Sequence, residues 1–418
     1  MLVFLTDDQR ADSMDAMPLT SKWFREGGRW YPNAFALTPV CCPSRASIFS
    51  GRFTHNHGVK QFTPYKLDQR STVQAYLQGH GYRTAMYGKY LNAFSLASDP
   101  PFFDDWAVFP QSTEDTYLGG SWNINGKRRE VSQYSTDFLR RKALTFVEDG
   151  KKPWLMFIST PQAHLPFLAE PGFKDADVPS WEGNDAVFES DLSDKPKFVR
   201  RPVRGKCDFA CGRQTRAAQY RTLMSVDQLV DDVMTTLQER GEADNTIAFF
   251  LSDNGFLWGE HGVSNKRLPY AQSVMIPFGM RWPAEVDSGT DERFVATIDI
   301  APTVLKAAGI PQRRNQPMDG RSLLSSEWER EDLLIEHWPS EPVPAYAALW
   351  GDGYQYVEYY DRKLKRSTFR EYYDLEADPW QLENLLEADS ADRPSAGRLR
   401  VLHERLAKLR RCKGRDCP

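Results

Sequence analysis

Met1-Leu2-Val3-Phe4-Leu5-Thr6-Asp7-Asp8 opens the chain with a short apolar run that stops at two adjacent carboxylates. The pattern returns far downstream, where Ile247-Ala248-Phe249-Phe250-Leu251 is followed, after Ser252, by Asp253-Asn254. Short unbroken apolar runs of this kind read as strands buried on both faces, as in a parallel sheet. Oxygen-bearing side chains just beyond such strands lie at the carboxyl edge of the sheet, where open α/β folds place their ligand crevice. Asp7, Asp8, Asp253 and Asn254 are therefore expected to converge. Three carboxylates and an amide oxygen are hard donors, suited to one divalent cation, Ca²⁺ or alternatively Mg²⁺, and poorly suited to a thiolate zinc site. Taken alone, Asp8 also fits a turn or a helix cap.

Working outward, Trp154 to Ile158 reads as a further strand. Thr72 to Gln78 reads as a helix closed by Gly79 and Gly81, Tyr134 to Glu148 and Tyr220 to Glu239 carry helical periodicity, and Ile298 to Leu305 suits a helix terminated by Gly309 and Pro311. This alternation predicts the α/β class, with a mostly parallel central sheet flanked by helices on both faces. Glu170 to Lys206, with its prolines and acids, is expected to form surface loops near a groove, and Lys127-Arg128-Arg129 a solvated turn. The period then changes. Trp350 to Tyr360 and Thr368 to Leu375 are aromatic-rich, strand-like segments around the charged turn Asp361-Arg362-Lys363, and suit a small antiparallel sheet. Leu399, Leu402, Leu406 and Leu409 form an apolar helical stripe beyond it. A chain of 418 residues exceeds one ordinary domain, so a larger unit over 1–325 and a smaller C-terminal sheet-and-helix unit over 326–418 are expected.

Charge narrows the function classes. Fifty-three lysines and arginines face 57 aspartates and glutamates, a formal net charge of -4, and no basic block points to nucleic acid. No stretch of eighteen apolar residues indicates a membrane span, so no stable membrane partner is expected. The sequence carries no signal for an oligomeric state.

Between the two acidic strand ends lies Cys41-Cys42-Pro43-Ser44-Arg45-Ala46, then Ser50-Gly51-Arg52. Pro43 alone could open a helix and Arg45 alone could be a surface charge. Together the segment resembles the maturation signature of the type I, formylglycine-dependent sulfatases, in which the first cysteine of Cys-x-Pro-x-Arg is oxidised. Other segments agree in order: Gly81-Tyr82-Arg83-Thr84 through Gly88-Lys89, Pro161-Gln162-Ala163-His164-Leu165-Pro166, Asp253-Asn254-Gly255, Gly259-Glu260-His261-Gly262 with Lys266, and Tyr373-Asp374-Leu375 through Asp378-Pro379 and Asn384-Leu385.

The resemblance implies an alkaline-phosphatase-like fold, a catalytic domain in the larger unit, and a catalytic set of Cys41, Arg45, Lys89, His164 and Lys266 beside a metal set of Asp7, Asp8, Cys41, Asp253 and Asn254. It also implies that a formylglycine-generating enzyme converts Cys41. In the family's mechanism one hydroxyl of the hydrated formylglycine, activated by the metal and a carboxylate such as Asp253, attacks sulfur. The second expels sulfate from the covalent hemiester as the aldehyde reforms. Arg45, Lys89 and Lys266 would stabilise shifting negative charge, and His164 would give the leaving oxygen its proton.

The substrate is less sharply marked. Lys89-Tyr90-Leu91-Asn92 departs from the commoner Lys-Trp-His and, with His55-Asn56-His57, resembles the N-acetylglucosamine-6-sulfatase branch, while Ala271 after Tyr270 departs from it. Asn92 suits either a substrate contact or a turn cap. A sulfated sugar, with 6-sulfated N-acetylglucosamine ahead of an aryl sulfate, is the expected substrate; a phosphonate monoester hydrolase, a phosphodiesterase or a noncatalytic binding module are the alternatives. The local pairs Cys207/Cys211 and Cys412/Cys417 suit disulfides and an oxidising compartment. Because the sequence opens directly on its first strand with no leader pattern, an exported protein lacking its leader is expected, with a cytoplasmic enzyme as the alternative.

Overall fold

The computed structural model describes residues 1–151, 153–202, 205–387 and 390–418. Five parallel strands form the centre of a ten-stranded sheet, in the spatial order Ala248–Ser252, Leu2–Thr6, Trp154–Ser159, Arg83–Lys89 and Asp105–Phe109. Antiparallel strands extend both sides, Phe278–Arg281 beside Ala248–Ser252 and Gly120–Ile124 beside Asp105–Phe109. Leu5 pairs with both Ser159 and Leu251, and Thr6 with Ser252. In that register the chain leaves the sheet at Asp7 and at Asp253 along one edge.

Alternate residues of the buried strands feed two cores, as the period of two requires. Val3, Leu5, Phe157 and Phe249 pack with Cys42, Ala46 and Phe49 of the Cys41–Ser50 helix. Leu2, Phe4, Met156 and Phe250 face the Ser135–Glu148 and Phe209–Glu239 helices through Leu139, Phe146, Leu229 and Val233. A third core joins Phe35, Phe53, Leu257 and Tyr270 to a four-stranded antiparallel sheet and to Leu402, Leu406 and Leu409 of the Ala396–Leu409 helix. This is the alkaline-phosphatase-like arrangement expected, with its separate small sheet.

Three local expectations are corrected. Lys127 to Arg129 is not a turn but the start of the edge strand Lys127–Val131. The turn is Asn125-Gly126, both at positive φ, the geometry of a two-residue hairpin. Trp350 to Tyr360 is not one strand but the end of Tyr346–Gly351 and all of Tyr354–Tyr360, joined through Asp352-Gly353. The polar stretch from Glu170 is not merely surface loop. Its Lys195 is fully buried, donating to Asp194 at 2.9 Å and to the Leu382 carbonyl at 2.5 Å; residues 203 and 204 of that stretch lie outside the described residues.

Two disulfides, Cys207–Cys211 and Cys412–Cys417, form as the spacing predicts. The second loop is gripped by the His55-Asn56 pair: His55 Nε2 donates to the Cys412 carbonyl at 3.0 Å and Asn56 Nδ2 donates to it at 2.8 Å. His57 is buried, accepts from the Val59 N–H through Nδ1 and meets Ser47 Oγ through Nε2. Burial, with Arg52 and His55 adding, pushes its pKa down to about 3. A histidine depressed in the fold contributes stability that is complete above its unfolded pKa and is lost as pH falls towards the folded value. His57→Asn is therefore expected to flatten the acid dependence of denaturant unfolding by about 2 kcal/mol between about pH 7 and pH 5; an unchanged slope would rule this out.

Candidate active site

Cys41 is the first residue of the Cys41–Ser50 helix, and its side chain is buried at the carboxyl edge of the sheet. Gly51, at φ 66, ends the helix in the left-handed conformation. Arg45 lies one turn on and is fully buried. Its Nε donates to Asp253 Oδ2 at 2.7 Å, and its Nη1 donates to the Lys89 carbonyl at 2.6 Å and Ser159 Oγ at 2.5 Å. One guanidinium thus ties three strand ends together.

The predicted site residues are brought together. Asp7, Asp8, Cys41 and Asp253 each offer a donor atom, all within 4.8 Å of one another. Cys41 Sγ donates to Asp7 Oδ1 at 3.2 Å and accepts from Lys266 Nζ at 2.7 Å. Lys89 bonds Asp7 and Lys266 bonds Asp8. Asn254 Nδ2 donates to Asp8 Oδ1 at 2.7 Å, whereas Asn254 Oδ1 is buried with no partner among the described residues. Gly88, at φ 103, precedes Lys89 because any Cβ there would collide with the Ser159 carbonyl.

Charge is unevenly balanced. Burial opposes ionisation of Asp7, but Lys89, His164, Arg45 and Lys266 outweigh it and hold the carboxyl well below its usual range. Asp253 moves the other way, pushed up to about 6 by burial and by Asp7 against Arg45, Lys89 and Lys266. Burial, Asp253 and Asp7 push the Cys41 thiol well above its ordinary value despite Lys266 and Lys89. Unmodified Cys41 is therefore an uncharged thiol at neutral pH, and a weak nucleophile.

His164 stands at the rim, its side chain 24% exposed and its Nε2 3.9 Å from Asp8 Oδ2. Nδ1 donates to the Leu165 carbonyl at 2.6 Å, so Nε2 is the atom left to exchange a proton. Asp7 and the loop carrying His164 are cross-tied through the Gln162 carbonyl and the Ala163 N–H. A cleft of about 360 Å³ opens here, lined by Asp8, His164 and Lys266 together with Leu165, Phe198 and Phe256. Asn92 is buried, its carbonyl accepting from Cys42 Sγ at 3.6 Å, and it does not line that cleft.

Sequence reasoning missed several supports. Ser112 Oγ donates to Asp7 Oδ2 at 2.9 Å. Gln219, from the long helix, donates to the Ala163 carbonyl at 2.7 Å and the Asp8 carbonyl at 3.3 Å while accepting from Trp258 Nε1 at 2.5 Å. Glu260 is fully buried between Arg10 Nη1, at 2.6 Å, and the Trp258 N–H, at 2.6 Å, which fixes the turn leading to Lys266. A lone glutamine in an amphipathic helix offers no signal. The strand-end position of Ser159 could have marked that residue.

A family model described as Sulfatase matches residues 1–310, and one described as N-sulphoglucosamine sulphohydrolase, C-terminal, matches residues 259–411. The chain is 31% identical over 369 residues to an extracellular sulfatase SULF-1 homolog of Drosophila melanogaster, covering 81% of this chain and 32% of that protein. It is 29% identical over 484 residues to the N-acetylglucosamine-6-sulfatase of Homo sapiens, covering 100% of this chain and 85% of that protein. The chain spans half or less of the extracellular sulfatases it matches, 48% and 32% of their lengths. Among solved structures it is similar to BT4656, in complex with its substrate D-glucosamine-2-N,6-O-disulfate, at a TM-score of 0.84 and 21% identity over 97% of this chain and 96% of that one.

Proposed function

Because the chain belongs to the sulfatase family, we propose that it is a sulfuric ester hydrolase acting on a sulfated sugar or glycan, with 6-sulfated N-acetylglucosamine ahead of small aryl sulfates. One observation carries this reading: three carboxylates and three buried cations converge on Cys41 beneath a cleft that holds His164. The sugar preference draws support from the N-acetylglucosamine-6-sulfatases among the relatives.

Cys41 is the residue proposed to be oxidised to formylglycine by a formylglycine-generating enzyme; hydrated, that group would supply both the attacking oxygen and the means of releasing sulfate. The donor set fits one divalent cation, Ca²⁺ ahead of Mg²⁺. Asp7, Asp8 and Asp253 provide oxygens, and the unpartnered Asn254 Oδ1 is an acceptor that a cation would satisfy. Such a cation would polarise the sulfate oxygens and balance the carboxylates.

The remaining work falls to the chain. Lys89 and Lys266 place positive charge beside Cys41, where the sulfate oxygens gain charge. Arg45 orients residue 41 by fixing Asp253, and His164 exchanges the leaving-group proton through Nε2. All these residues precede 325, so we assign the chemistry to 1–325 and treat 326–418 as the smaller supporting unit. The extracellular relatives and the two disulfides support export. Among the described residues no helix is long and apolar enough to cross a membrane.

A matched comparison of N-acetylglucosamine 6-sulfate, 4-nitrophenyl sulfate and a phenyl phosphonate monoester tests the reading on matured, Ca²⁺-replete protein. Both sulfates are expected to turn over, with the sugar preferred once the intrinsic reactivity of the nitrophenolate is discounted. Turnover of the phosphonate alone would overturn the assignment, and aryl turnover without sugar turnover would reject the glycan proposal.

A further inference from the structure

We infer that Arg267 forms a second anion subsite in the cleft, taking a sulfate or carboxylate group of the substrate other than the ester that is cleaved; this rests on the cleft being the substrate site of a sulfatase. Arg267 lines the same cleft as His164 and Lys266. Its backbone sits at φ 80, a conformation that side-chain-bearing residues seldom adopt and that concentrates at ligand sites. Its Nε is buried and has no hydrogen-bond partner among the described residues. The contrast with its neighbours is chemical. Lys89 is matched to Asp7, Lys266 to Asp8 and Arg45 to Asp253, so their charges are already balanced within the protein.

Arg267 has no such carboxylate among the described residues. Of the two carboxylates that line the cleft, Asp8 pairs with Lys266 and Glu341 faces Arg362, at 3.7 Å and in solvent. His337 is kept neutral by burial, reinforced by Arg267, and so adds no like charge beside the guanidinium. A guanidinium with a desolvated, unused N–H and no countercharge is built to take a planar or tetrahedral oxyanion through charge-assisted hydrogen bonds. Lying next to Lys266 in the chain, it selects substrates with two anionic groups.

The test uses matured, Ca²⁺-replete wild type, Arg267→Gln and Arg267→Lys with four substrates: 4-nitrophenyl sulfate, N-acetylglucosamine 6-sulfate, a glucosamine sulfated at both N and O6, and N-acetylglucosamine 6-sulfate linked to a uronic acid. Wild type is expected to favour at least one doubly anionic sugar by about 10- to 100-fold in kcat/KM, and the sugar favoured tells sulfate from carboxylate. Arg267→Gln should erase that preference through KM while leaving both singly charged substrates within about threefold, and Arg267→Lys should restore part of it. A preference that survives Arg267→Gln, or an equal loss on all four substrates, overturns the subsite. Inactivity of wild type on all four, 4-nitrophenyl sulfate included, would instead reject the hydrolase reading and the inference with it.

Discussion

Cys41→Ser is expected to lower kcat/KM for every sulfate ester by at least about 10⁴-fold while leaving the fold intact. The stability part follows from size, since serine replaces a buried thiol without adding volume, and its hydroxyl can keep the contacts with Asp7 and Lys266. The activity part follows from valence. Serine offers one oxygen, which could attack sulfur but would leave a sulfate ester with no second hydroxyl on the same carbon to expel it. The unmodified thiol is a poor nucleophile for a second reason, because burial and the neighbouring carboxylates keep it protonated. Peptide mass spectrometry of active protein should show position 41 without its sulfur and Cys42 unchanged. Cys42 lies in the core at 0% exposure, against Ala46 and Phe49 rather than the carboxylates. Full activity in protein that retains the Cys41 thiol would remove this residue from the proposed chemistry.

How far the sequence could be read depended on whether a residue's role was local. The buried strands and their terminal carboxylates were legible because an unbroken apolar run that stops at Asp7-Asp8 or at Asp253-Asn254 has few other physical readings. Cys41 to Arg45 was legible because one helical turn sets the spacing between the two side chains. Asn125-Gly126 was also local and was overlooked: charge on Lys127 to Arg129 drew the turn two residues too far along, although the Asn-Gly pair is the stronger hairpin signal. Gln219, Ser112 and Lys195 belong to another class. Each takes at least one partner far away in sequence, Ala163 for Gln219, Asp7 for Ser112 and Leu382 for Lys195, 56, 105 and 187 positions off, so a window of neighbouring residues holds only part of the information. Asn92, read as either a substrate contact or a turn cap, is buried, with its backbone carbonyl beside Cys42 and its side-chain Oδ1 without a partner among the described residues.

Arg45→Ala is expected to destabilise the protein by about 3–5 kcal/mol, the usual cost of breaking a buried ion pair from one side. Arg45 is fully buried, as is its partner Asp253, so the carboxylate it leaves behind cannot recover hydration. The Lys89 carbonyl and Ser159 Oγ lose their donors as well. Arg45→Lys restores a charge but not the fork that reaches all three, and should recover only part of the loss. The useful contrast is with cation. A divalent ion held by Asp7, Asp8, Asp253 and Asn254 neutralises the same carboxylates that Arg45 does, so it should matter more once Arg45 is gone. Denaturant unfolding with saturating Ca²⁺ and with chelator, for wild type and Arg45→Ala, reads this directly. Ca²⁺ should stabilise both proteins and stabilise the variant more, by mass action on the folded state. Asp253→Asn provides the opposite sign, because it removes a ligand and leaves Arg45 without its strongest partner, so Ca²⁺ should stabilise it less than wild type. If Ca²⁺ and Mg²⁺ leave all three midpoints where chelator leaves them, the four oxygen donors hold no cation, and the three carboxylates are balanced by Lys89, Lys266 and Arg45 alone.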